Sequence, residues 1–328
     1  MKNSELLTKI TDRLNQANDI ALFAHIRPDG DTVGSVLGLG TALKEAGKKV
    51  QFVSQDKIPD NMSFLFEDFG IKNPFISVPQ SFDCAVVMDV SDRKRSGSWW
   101  EAHPDRIPDI CIDHHATNAG FAVYNWIEPR NPATAAIAAE LIPDLGLNIS
   151  KFAASALLSG IITDTIGFST SNMNADILCT AGKLIEKGAD IFKIQYKLIK
   201  EKTYAKDRYW GCGLQKIQRR GRIIWTDLTI EDRKISEYPV TDDADLINEL
   251  SATEGFDVAI IFIEQDPNCT KISWRGKPGT DVSRIAAVFG GGGHVAAAGA
   301  TVDASLNDAV EKVLSTTEKM IKTDYIGK

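Results

Sequence analysis

The stretch Ile110–His115, with the sequence ICIDHH, places an aspartate and two adjacent histidines directly after three apolar residues. A short and continuous apolar run of this kind is typical of a strand that is buried on both faces of a parallel sheet. Histidine is scarce in this protein, since only five occur in 328 residues. We therefore interpret the stretch as a buried strand whose C-terminal end presents ligand side chains.

Three other apolar segments of the chain also end in acids or imidazoles. The residues that follow them are His25 with Asp29 and Asp31, then Asp89, and then Asp164. Taken alone, an aspartate at such a place is more often a helix cap or a turn former. Four segments of this kind fall within the first 164 residues, however, and we place all of them at strand ends. The pattern predicts that these side chains form one site.

Apolar periodicity predicts strands that alternate with helices over the N-terminal part of the chain. The expected strands cover residues 20–24, 51–53, 85–88 and 110–112, and the expected helices cover 31–46, 133–145, 150–163 and 175–187. This alternation predicts an α/β fold with a mainly parallel sheet flanked by helices. Sites in such sheets lie outside the carboxyl ends of the strands, which is where the segment ends are expected.

In the second half of the sequence the predicted elements change from alternating strands and helices to mainly strands, which predicts a second domain. We expect a catalytic domain that binds two metals at residues 1–192, a charged and largely helical linker at 193–210, and a smaller α+β domain at 211–328. In the smaller domain, strands are expected at 222–228, 258–263 and 271–274, with helices at 281–289 and 307–320. A chain of 328 residues is long enough for two such domains.

The composition is that of a globular protein, with 43% apolar and 25% charged residues. A net charge of -7 disfavours tight binding of long duplex nucleic acid. The five cysteines are scattered and form no C-x-x-C pair, which disfavours a disulfide framework or a zinc site. We find no N-terminal signal sequence and no run of about 20 apolar residues that would span a membrane. We therefore expect a cytoplasmic protein without membrane association.

Four carboxylates in one site would repel each other unless cations balanced their charge. Two divalent cations would do so, and neutral imidazoles would complete their coordination. The candidate ligands are His25, Asp29, Asp31, Asp89, His114 and Asp164. A mixed oxygen and imidazole set suits manganese or a similar octahedral ion. Two such ions about 3.5–4 Å apart, which hold an attacking hydroxide between them, are a standard device for hydrolysing phosphate esters.

A second cluster of candidate residues lies in the C-terminal part of the chain. It combines Arg275 with Gly291, Gly292 and Gly293 and with His294. The glycine run lacks the Lys-Ser/Thr of a Walker loop, and on composition alone a flexible loop explains it equally well. Set beside Arg275 and His294, its backbone N–H groups would suit an anion, with Arg275 as a bidentate phosphate clamp. His294 would then contact phosphate or stack on a base.

Two further features near Asp89 have simpler explanations. We interpret the basic triplet Arg93–Arg95 as a solvated loop and not as a substrate contact. We interpret the pair Trp99-Trp100 as packing residues and not as a platform for base stacking.

Taken together, these residues resemble the motifs of a known family. The chain is similar to the DHH phosphoesterases, and within them to the two-domain nanoRNase/pAp-phosphatase subgroup with a DHH-associated C-terminal domain. The similarity spans nearly the whole chain. The matching segments are residues 25–35, the stretch from Asp89 to Arg95, Asp113–His115, Gly160–Thr165, residues 273–275 and residues 291–299.

The resemblance implies how the ligands divide between two metals. One metal would be held by His25, Asp29 and Asp89, and the other by Asp31, Asp89, His114 and Asp164. Asp89 would bridge the two ions. His115 would face the phosphate and Asp113 would support the site from behind, which makes Asp89, Asp113, His114 and His115 the catalytic set.

The resemblance also implies where the substrate is recognised. The active site would lie in the cleft between the domains, and the smaller domain would contribute Arg275, Gly291, Gly292, Gly293 and His294. Two departures from the family pattern stand out. Thr32 occupies a place often taken by alanine, which we expect to matter little, and Gly276 replaces a frequent serine, which removes one hydroxyl from phosphate recognition.

The function that the resemblance implies is metal-dependent hydrolysis of phosphoester bonds in very short RNA, in 3′-phosphoadenosine 5′-phosphate (pAp), or in both. Manganese is the expected metal, with magnesium or cobalt as alternatives. Three other functions stay open: a phosphodiesterase of cyclic dinucleotides or pApA, a polyphosphatase or pyrophosphatase, and a nucleotide-binding regulator without catalysis. The partner is expected to be a small nucleotide, and assembly into a homodimer is left open.

Overall fold

The apolar runs of the N-terminal part form a sheet of six parallel strands. The computed structural model describes residues 4–326, with side chains up to Ile321. The strands are β1 (Asp19–Phe23), β2 (Lys49–Val53), β3 (Phe75–Ile76), β4 (Cys84–Met88), β5 (Ile110–Asp113) and β6 (Tyr124–Ile127). Their order in space is β3-β2-β1-β4-β5-β6. The chain builds the sheet outward from β1 to one edge and then, starting from β4, outward to the other edge. At such a change of direction the connections diverge and leave a crevice for ligands.

The predicted mainly parallel sheet is confirmed, and the two edge strands are additions to it. β3 has two residues and β6 has four, so neither shows an apolar pattern long enough to predict a strand. They become extended because β2 and β5 offer unpaired edges to them. The central strands are buried on both faces, as the continuous apolar runs predict.

Eight α-helices lie in the described part of the N-terminal unit, which begins at Ser4. They are α1 (Ser4–Gln16), α2 (Gly30–Glu45), α3 (Phe64–Phe69), α4 (Ser98–Ala102), α5 (Thr134–Asp144), α6 (Lys151–Asp164), α7 (Ala175–Glu186) and α8 (Ile191–Gln195). The large core includes residues of α2, α5 and α6 together with one face of the sheet. A smaller cluster around Phe23 and Trp100 covers the other face, so the tryptophan pair is largely packing.

Helices α2 and α6 approach each other very closely. A Cβ atom on Gly34 of α2 would lie 2.5 Å from the backbone oxygen of Ala156 in α6. Only glycine fits at that point, because a real Cβ atom would have to displace the backbone of the neighbouring helix. The glycines of α2 therefore permit helix–helix contact, and the close packing brings the N-terminal end of α2 to the C-terminal end of α6.

The chain divides into two compact units between Glu201 and Lys202. This boundary lies inside residues 193–210, the segment that we predicted as a linker. The second half of that segment forms α9 (Tyr204–Gln215), which belongs to the C-terminal unit. Tyr209 of α9 is fully buried in a core cluster with Ile224 and Leu228, and this burial makes α9 part of a domain core.

The C-terminal unit is the shorter one and contains a mixed sheet of six strands. The strands are β7 (Gln218–Arg220), β8 (Ile223–Leu228), β9 (Val258–Asp266), β10 (Cys269–Gly276), β11 (Gly292–His294) and β12 (Ala297–Val302), in the spatial order β11-β12-β10-β9-β8-β7. Only β8 and β9 pair in parallel. The helices after α9 are α10 (Ile230–Ser236), α11 (Leu246–Ser251), α12 (Val282–Val288) and α13 (Leu306–Ile326). Across residues 4–326, no helix combines the length and the apolar character that crossing a membrane requires.

The glycine run at the start of β11 is not a free loop. Gly292 and Gly293 pair with Gly299 and Ala298 of β12. A Cβ atom on Gly291 would collide with the backbone oxygen of Gly299. Close approach of two strands therefore accounts for part of the run.

Candidate metal centre

The loop between β1 and α2 carries the first three candidate ligands. His25 follows β1 directly and is 2% exposed. Asp29 is the N-cap of α2 and accepts a hydrogen bond from the backbone N–H of Thr32 at 3.0 Å. Asp31 lies in the first turn of the same helix and is 1% exposed. A helix N-terminus favours negative charge, which explains how two acids are accommodated so close together.

Asp31 is also held by a second helix. Its two carboxylate oxygens accept hydrogen bonds from the backbone N–H groups of Thr134 and Ala135, at 2.7 and 2.9 Å. These residues open α5, where N–H groups have no partner within the helix. The N-terminal ends of α2 and α5 thus meet at one carboxylate.

Asp89 follows β4 and lies at the centre of the site. Its backbone φ of +60° is in the left-handed region, which aspartate tolerates better than most residues. One carboxylate oxygen lies 3.5 Å from Nε2 of His25, and the other lies 3.5 Å from Nε2 of His114. The side chain is only 2% exposed. Asp89 therefore faces both histidines with different oxygen atoms.

Asp113, His114 and His115 come at the end of β5 and have distinct surroundings. Asp113 is buried and accepts hydrogen bonds from Nδ1 of His115 and from the side-chain amide of Asn118, both at 2.7 Å. His114 Nδ1 lies 3.3 Å from the backbone oxygen of Asn131. The two histidines are partly exposed, so this side of the site reaches solvent.

Asp164 arrives from a helix, which confirms the helix predicted at residues 150–163 and corrects our placement of all four segments at strand ends. It is the last residue of α6, and one of its oxygens lies 3.4 Å from Nε2 of His114. The sequence before it is apolar on all sides because α6 is buried.

The candidate ligands form three overlapping groups, and within each group the donor atoms lie within 4.8 Å of one another. The groups are His25 with Asp29 and Asp89, Asp31 with His114 and Asp164, and Asp89 with His114 and His115. All six sequence-predicted ligands are in this cluster, and Asp89 and His114 each belong to two groups. The third group also brings His115 within reach of a cation.

Excess negative charge shifts the protonation of the cluster. Burial raises the pKa of Asp31 well above its usual range, and the charges of Asp89 and Asp164 raise it further. Burial also raises the pKa of Asp164 to about 6, against the opposing influence of His114. Burial opposes the charged form of His25, but its contacts with Asp29 and Asp89 prevail and raise its pKa to about 9. These shifts favour protonated forms in the metal-free cluster, whose negative charge bound cations would otherwise balance.

The donor atoms suit divalent cations of the harder type. The groups contain three imidazoles, of His25, His114 and His115, and four carboxylates, and none of the groups found in the described residues includes a thiolate. Nδ1 of His25 lies 2.8 Å from the backbone oxygen of Ile26, and Nδ1 of His114 faces the oxygen of Asn131. When these Nδ1–H groups donate to the carbonyls, each Nε2 keeps its lone pair for a metal. The residues present therefore fit a pair of metal ions.

The structure places the second candidate cluster in the C-terminal unit. Arg275 ends near Asn248, whose side-chain oxygen accepts from its Nε at 3.2 Å, and its Nη1 contacts the backbone oxygen of Trp274. His294 is exposed at the end of β11. A Cβ atom on Gly276 would lie 2.7 Å from the backbone oxygen of Thr280, so the frequent serine has no room at this position.

Several residues around the site were missed or undervalued from the sequence. Arg95 is half-buried with Nη2 3.4 Å from Nδ1 of His25, so the basic triplet is not simply a solvated loop. Thr32, which we expected to matter little, donates from its hydroxyl to Asp89 at 2.5 Å. Thr134 donates to the same carboxylate at 3.1 Å, and no sequence signal singles it out. Asn118 holds Asp113, and its position in the ICIDHHATN run was the one available hint.

Comparison with known proteins identifies the family. Residues 19–161 match the DHH family N-terminal domain, and residues 241–323 match the DHHA1 domain. The chain is 30% identical to the bifunctional oligoribonuclease and PAP phosphatase NrnA of Thermus thermophilus, over 94% of this chain and 92% of that protein. The chain belongs to the DHH family. The resemblance to the DHH phosphoesterases that the sequence motifs indicated is therefore confirmed.

Two further proteins are similar to this chain. A probable manganese-dependent inorganic pyrophosphatase of Bacillus cereus is 27% identical over 55% of this chain and 59% of its own. The crystal structure of an exopolyphosphatase-related protein from Bacteroides fragilis has a TM-score of 0.87, with 23% identity and 99% of both chains covered. At that identity the structural match establishes the two-domain fold and not the activity.

Proposed function

We propose that this DHH protein is a divalent-metal-dependent phosphoesterase that hydrolyses short oligoribonucleotides and pAp. The observation that carries the proposal is the cluster in which Asp89 and His114 link three groups of metal-binding side chains. The relative from Thermus thermophilus, which aligns over 94% of this chain, supports the substrate class. Manganese is the proposed ion, since the ligand set suits it and a pyrophosphatase relative is described as manganese-dependent.

The proposed ligand sets combine the geometric groups with the division that the family resemblance implies. His25, Asp29 and Asp89 form one group and would hold one cation, and Asp89 would join the group of Asp31, His114 and Asp164 to hold the other. When bound, two such ions supply Lewis acidity toward the phosphoryl oxygens and activate water at neutral pH. The buried residues His25, Asp31 and Asp89 supply fixed positions, while the partly exposed His114 and Asp164 open toward solvent.

Asp113 and His115 are proposed to handle a proton beside the phosphate. The hydrogen bond with Asp113 raises the pKa of His115, which favours its protonated form. His115 Nδ1 donates to Asp113, so the proton on Nε2 is the one available to a phosphate oxygen or to the leaving oxygen. Asn118 keeps Asp113 in place by donating to its second oxygen.

The DHHA1 domain is proposed to supply substrate contacts. Arg275 offers a guanidinium that is only lightly engaged by Asn248, and guanidinium groups bind phosphate in a bidentate way. His294 is exposed and free to contact a phosphate or a base. Gly291 and Gly293 would serve chiefly by letting the chain lie close to β12, whereas Gly292 has open space around it and would be free to face a substrate.

The test is a substrate panel with the purified protein and manganese. The substrates are pAp, pApA, a labelled RNA trimer, a long RNA and pyrophosphate, and the products are separated by chromatography. We expect turnover of the trimer and pAp, and loss of both after a chelator removes the metal. The long RNA serves as the matched negative substrate, because it has the same bonds but few chain ends.

Each other outcome points to a different member of the open set. Turnover of pApA or of a cyclic dinucleotide alone would assign the site to second-messenger hydrolysis. Turnover of pyrophosphate alone would place the protein with the pyrophosphatases. Nucleotide binding without any product would indicate a regulator and would contradict the proposal.

A further inference from the structure

Two buried threonine hydroxyl groups donate hydrogen bonds to the carboxylate of Asp89. Thr32 Oγ1 donates to Oδ2 of Asp89 at 2.5 Å, and Thr134 Oγ1 donates to Oδ1 at 3.1 Å. Both threonines are fully buried, with no exposed side-chain surface. Each oxygen of Asp89 therefore has one hydroxyl partner of its own.

We propose that Thr32 and Thr134 are positioning residues that fix the rotation of the Asp89 carboxylate so that one oxygen addresses each metal. This inference rests on the proposed function, because it assigns the hydroxyls to a metal-binding role. It goes beyond the ligand set itself, since neither threonine is among the candidate ligands.

The geometry around each oxygen supports this role. A carboxylate oxygen has two lone pairs, and a hydroxyl occupies one of them. Oδ2 also lies 3.5 Å from Nε2 of His25, and Oδ1 lies 3.5 Å from Nε2 of His114. Each oxygen therefore keeps one lone pair for a metal, and the two oxygens face different histidines, Oδ2 facing His25 and Oδ1 facing His114 and His115. Without the hydroxyls the final torsion of an aspartate is broad, and the two oxygens would not be held apart in this way.

The backbone places both threonines where they couple the site to its helices. Thr32 stands in the first turn of α2, next to Asp31, and Thr134 is the first residue of α5. Thr134 also donates its backbone N–H to Asp31 at 2.7 Å. One residue thus orients two candidate ligands from different parts of the chain, and a displacement of α5 would disturb both.

The test measures metal binding apart from catalysis. Metal-free Thr32→Val and Thr134→Val proteins are titrated with manganese by calorimetry, alongside Thr32→Ser and Thr134→Ser, which restore the hydroxyl. We expect each valine variant to bind manganese about 10–100-fold more weakly, as is typical when a group that orients a ligand is lost. The serine variants should stay within about threefold of the wild type, since they keep the donor that orients the ligand.

The matched control is Thr226→Val in the C-terminal unit. Thr226 is also fully buried, and its hydroxyl donates to the backbone oxygen of Gly213 at 2.6 Å, so it loses a comparable hydrogen bond. Its manganese affinity should not change. In activity assays the valine variants should lose kcat at limiting manganese, while KM for the nucleotide stays constant.

The outcomes separate this inference from the proposed function. Folded valine variants that bind manganese as tightly as the wild type would overturn the positioning role and leave the metal centre intact. If Thr32→Val fails to fold, Thr32→Ala removes the same hydroxyl with a smaller side chain and decides the question. A wild-type protein that binds no divalent cation would refute the proposed function itself, and the positioning role with it.

Discussion

Asp89 adopts a left-handed backbone conformation immediately after β4, and this turn directs its side chain between His25 and His114. The strain of a positive φ is modest for aspartate and is offset by hydrogen bonds to both carboxylate oxygens. Among the ion pairs found in residues 4–321, Asp89 is the one candidate ligand that places two different oxygens within 3.5 Å of two different histidines. We therefore expect catalysis to depend most strongly on Asp89.

Asp89→Asn should abolish hydrolysis while the protein stays folded. The change removes one negative charge with almost no change in shape, so the cation site loses its shared ligand. We expect the rate to fall by more than about a hundredfold, which is the upper range for residues that merely support a ligand. Initial rates with the best substrate of the panel measure this, and Asp105→Asn in an exposed loop is the control. Activity near the wild-type level would contradict the bridging role.

His25 should make metal binding depend on pH. Its contacts with Asp29 and Asp89 outweigh burial and raise its pKa to about 9, so it carries a proton at neutral pH in the metal-free protein. A metal must displace that proton, and affinity should therefore rise with pH by about tenfold per unit for each proton released. Calorimetry with manganese between pH 6.5 and about 8.5 measures the slope.

The same shift has a consequence for the stability of the metal-free protein. Because the pKa of His25 is higher in the folded state, its contribution is complete below about pH 6.5 and is lost as the pH rises toward 9. The free energy of unfolding without metal should fall over that interval. An affinity and a stability that are both flat with pH would mean that His25 is neutral in the metal-free protein.

At the scale of elements, the contact between α2 and α6 sets the spacing of the site. Asp31 lies in the first turn of α2, and Asp164 is the last residue of α6. Gly34 lets the two helix backbones touch, with no space for a Cβ atom beside Ala156. A wider separation would move Asp31 and Asp164 apart, and both belong to one candidate metal group with His114.

Gly34→Ala should therefore destabilise the fold and weaken metal binding together. Alanine is the better helix former by about 1 kcal/mol, but overpacking against a backbone costs about 1–3 kcal/mol or more. Gly182→Ala in α7 is the matched control, since nothing lies within 4 Å of its added Cβ atom. Urea unfolding and manganese titration of both variants measure the effects. A Gly34→Ala protein as stable as the Gly182→Ala protein would show that the helices can separate without cost.

At the scale of the whole molecule, each unit has its own cores. The N-terminal unit has one large cluster and one small cluster, and the C-terminal unit has a cluster that includes Trp274 and another that includes Tyr209. All candidate metal ligands belong to the N-terminal unit. A ligand stabilises only the state that binds it, so metal should stabilise the two units unequally.

Manganese should slow amide exchange in the N-terminal unit selectively. At about 100 times the dissociation constant, binding stabilises the native state by about 2.7 kcal/mol, which corresponds to about 100-fold slower exchange through unfolding. Native-state hydrogen exchange of β4 and β9, one buried strand from each unit, measures the difference. Equal slowing in both strands would mean that the units unfold as one cooperative block.

The amino-acid sequence by itself determined the parallel sheet and the identity of the clustered side chains. Strands such as β1, β4 and β5 are buried on both faces, and this burial demands continuous apolar runs that are visible in the sequence. The carboxyl ends of parallel strands share one edge, so His25, Asp89 and Asp113 were expected to meet there. Their roles in metal binding and catalysis remain predictions that the experiments above address.

Only the tertiary structure decided how the two threonines reach the site and how closely the helix of Asp164 packs on α2. The helix that ends at Asp164 was expected from the sequence, whereas its backbone contact with Gly34 of α2 was not. Thr134 is 45 positions away from Asp89, and the hydrogen bond between them exists because α5 packs beside α2. Likewise, β11 is a strand because β12 pairs with it, although glycine disfavours extended structure locally. Contacts of this kind depend on how elements that are distant in the sequence pack together, and this packing cannot be predicted from the local sequence.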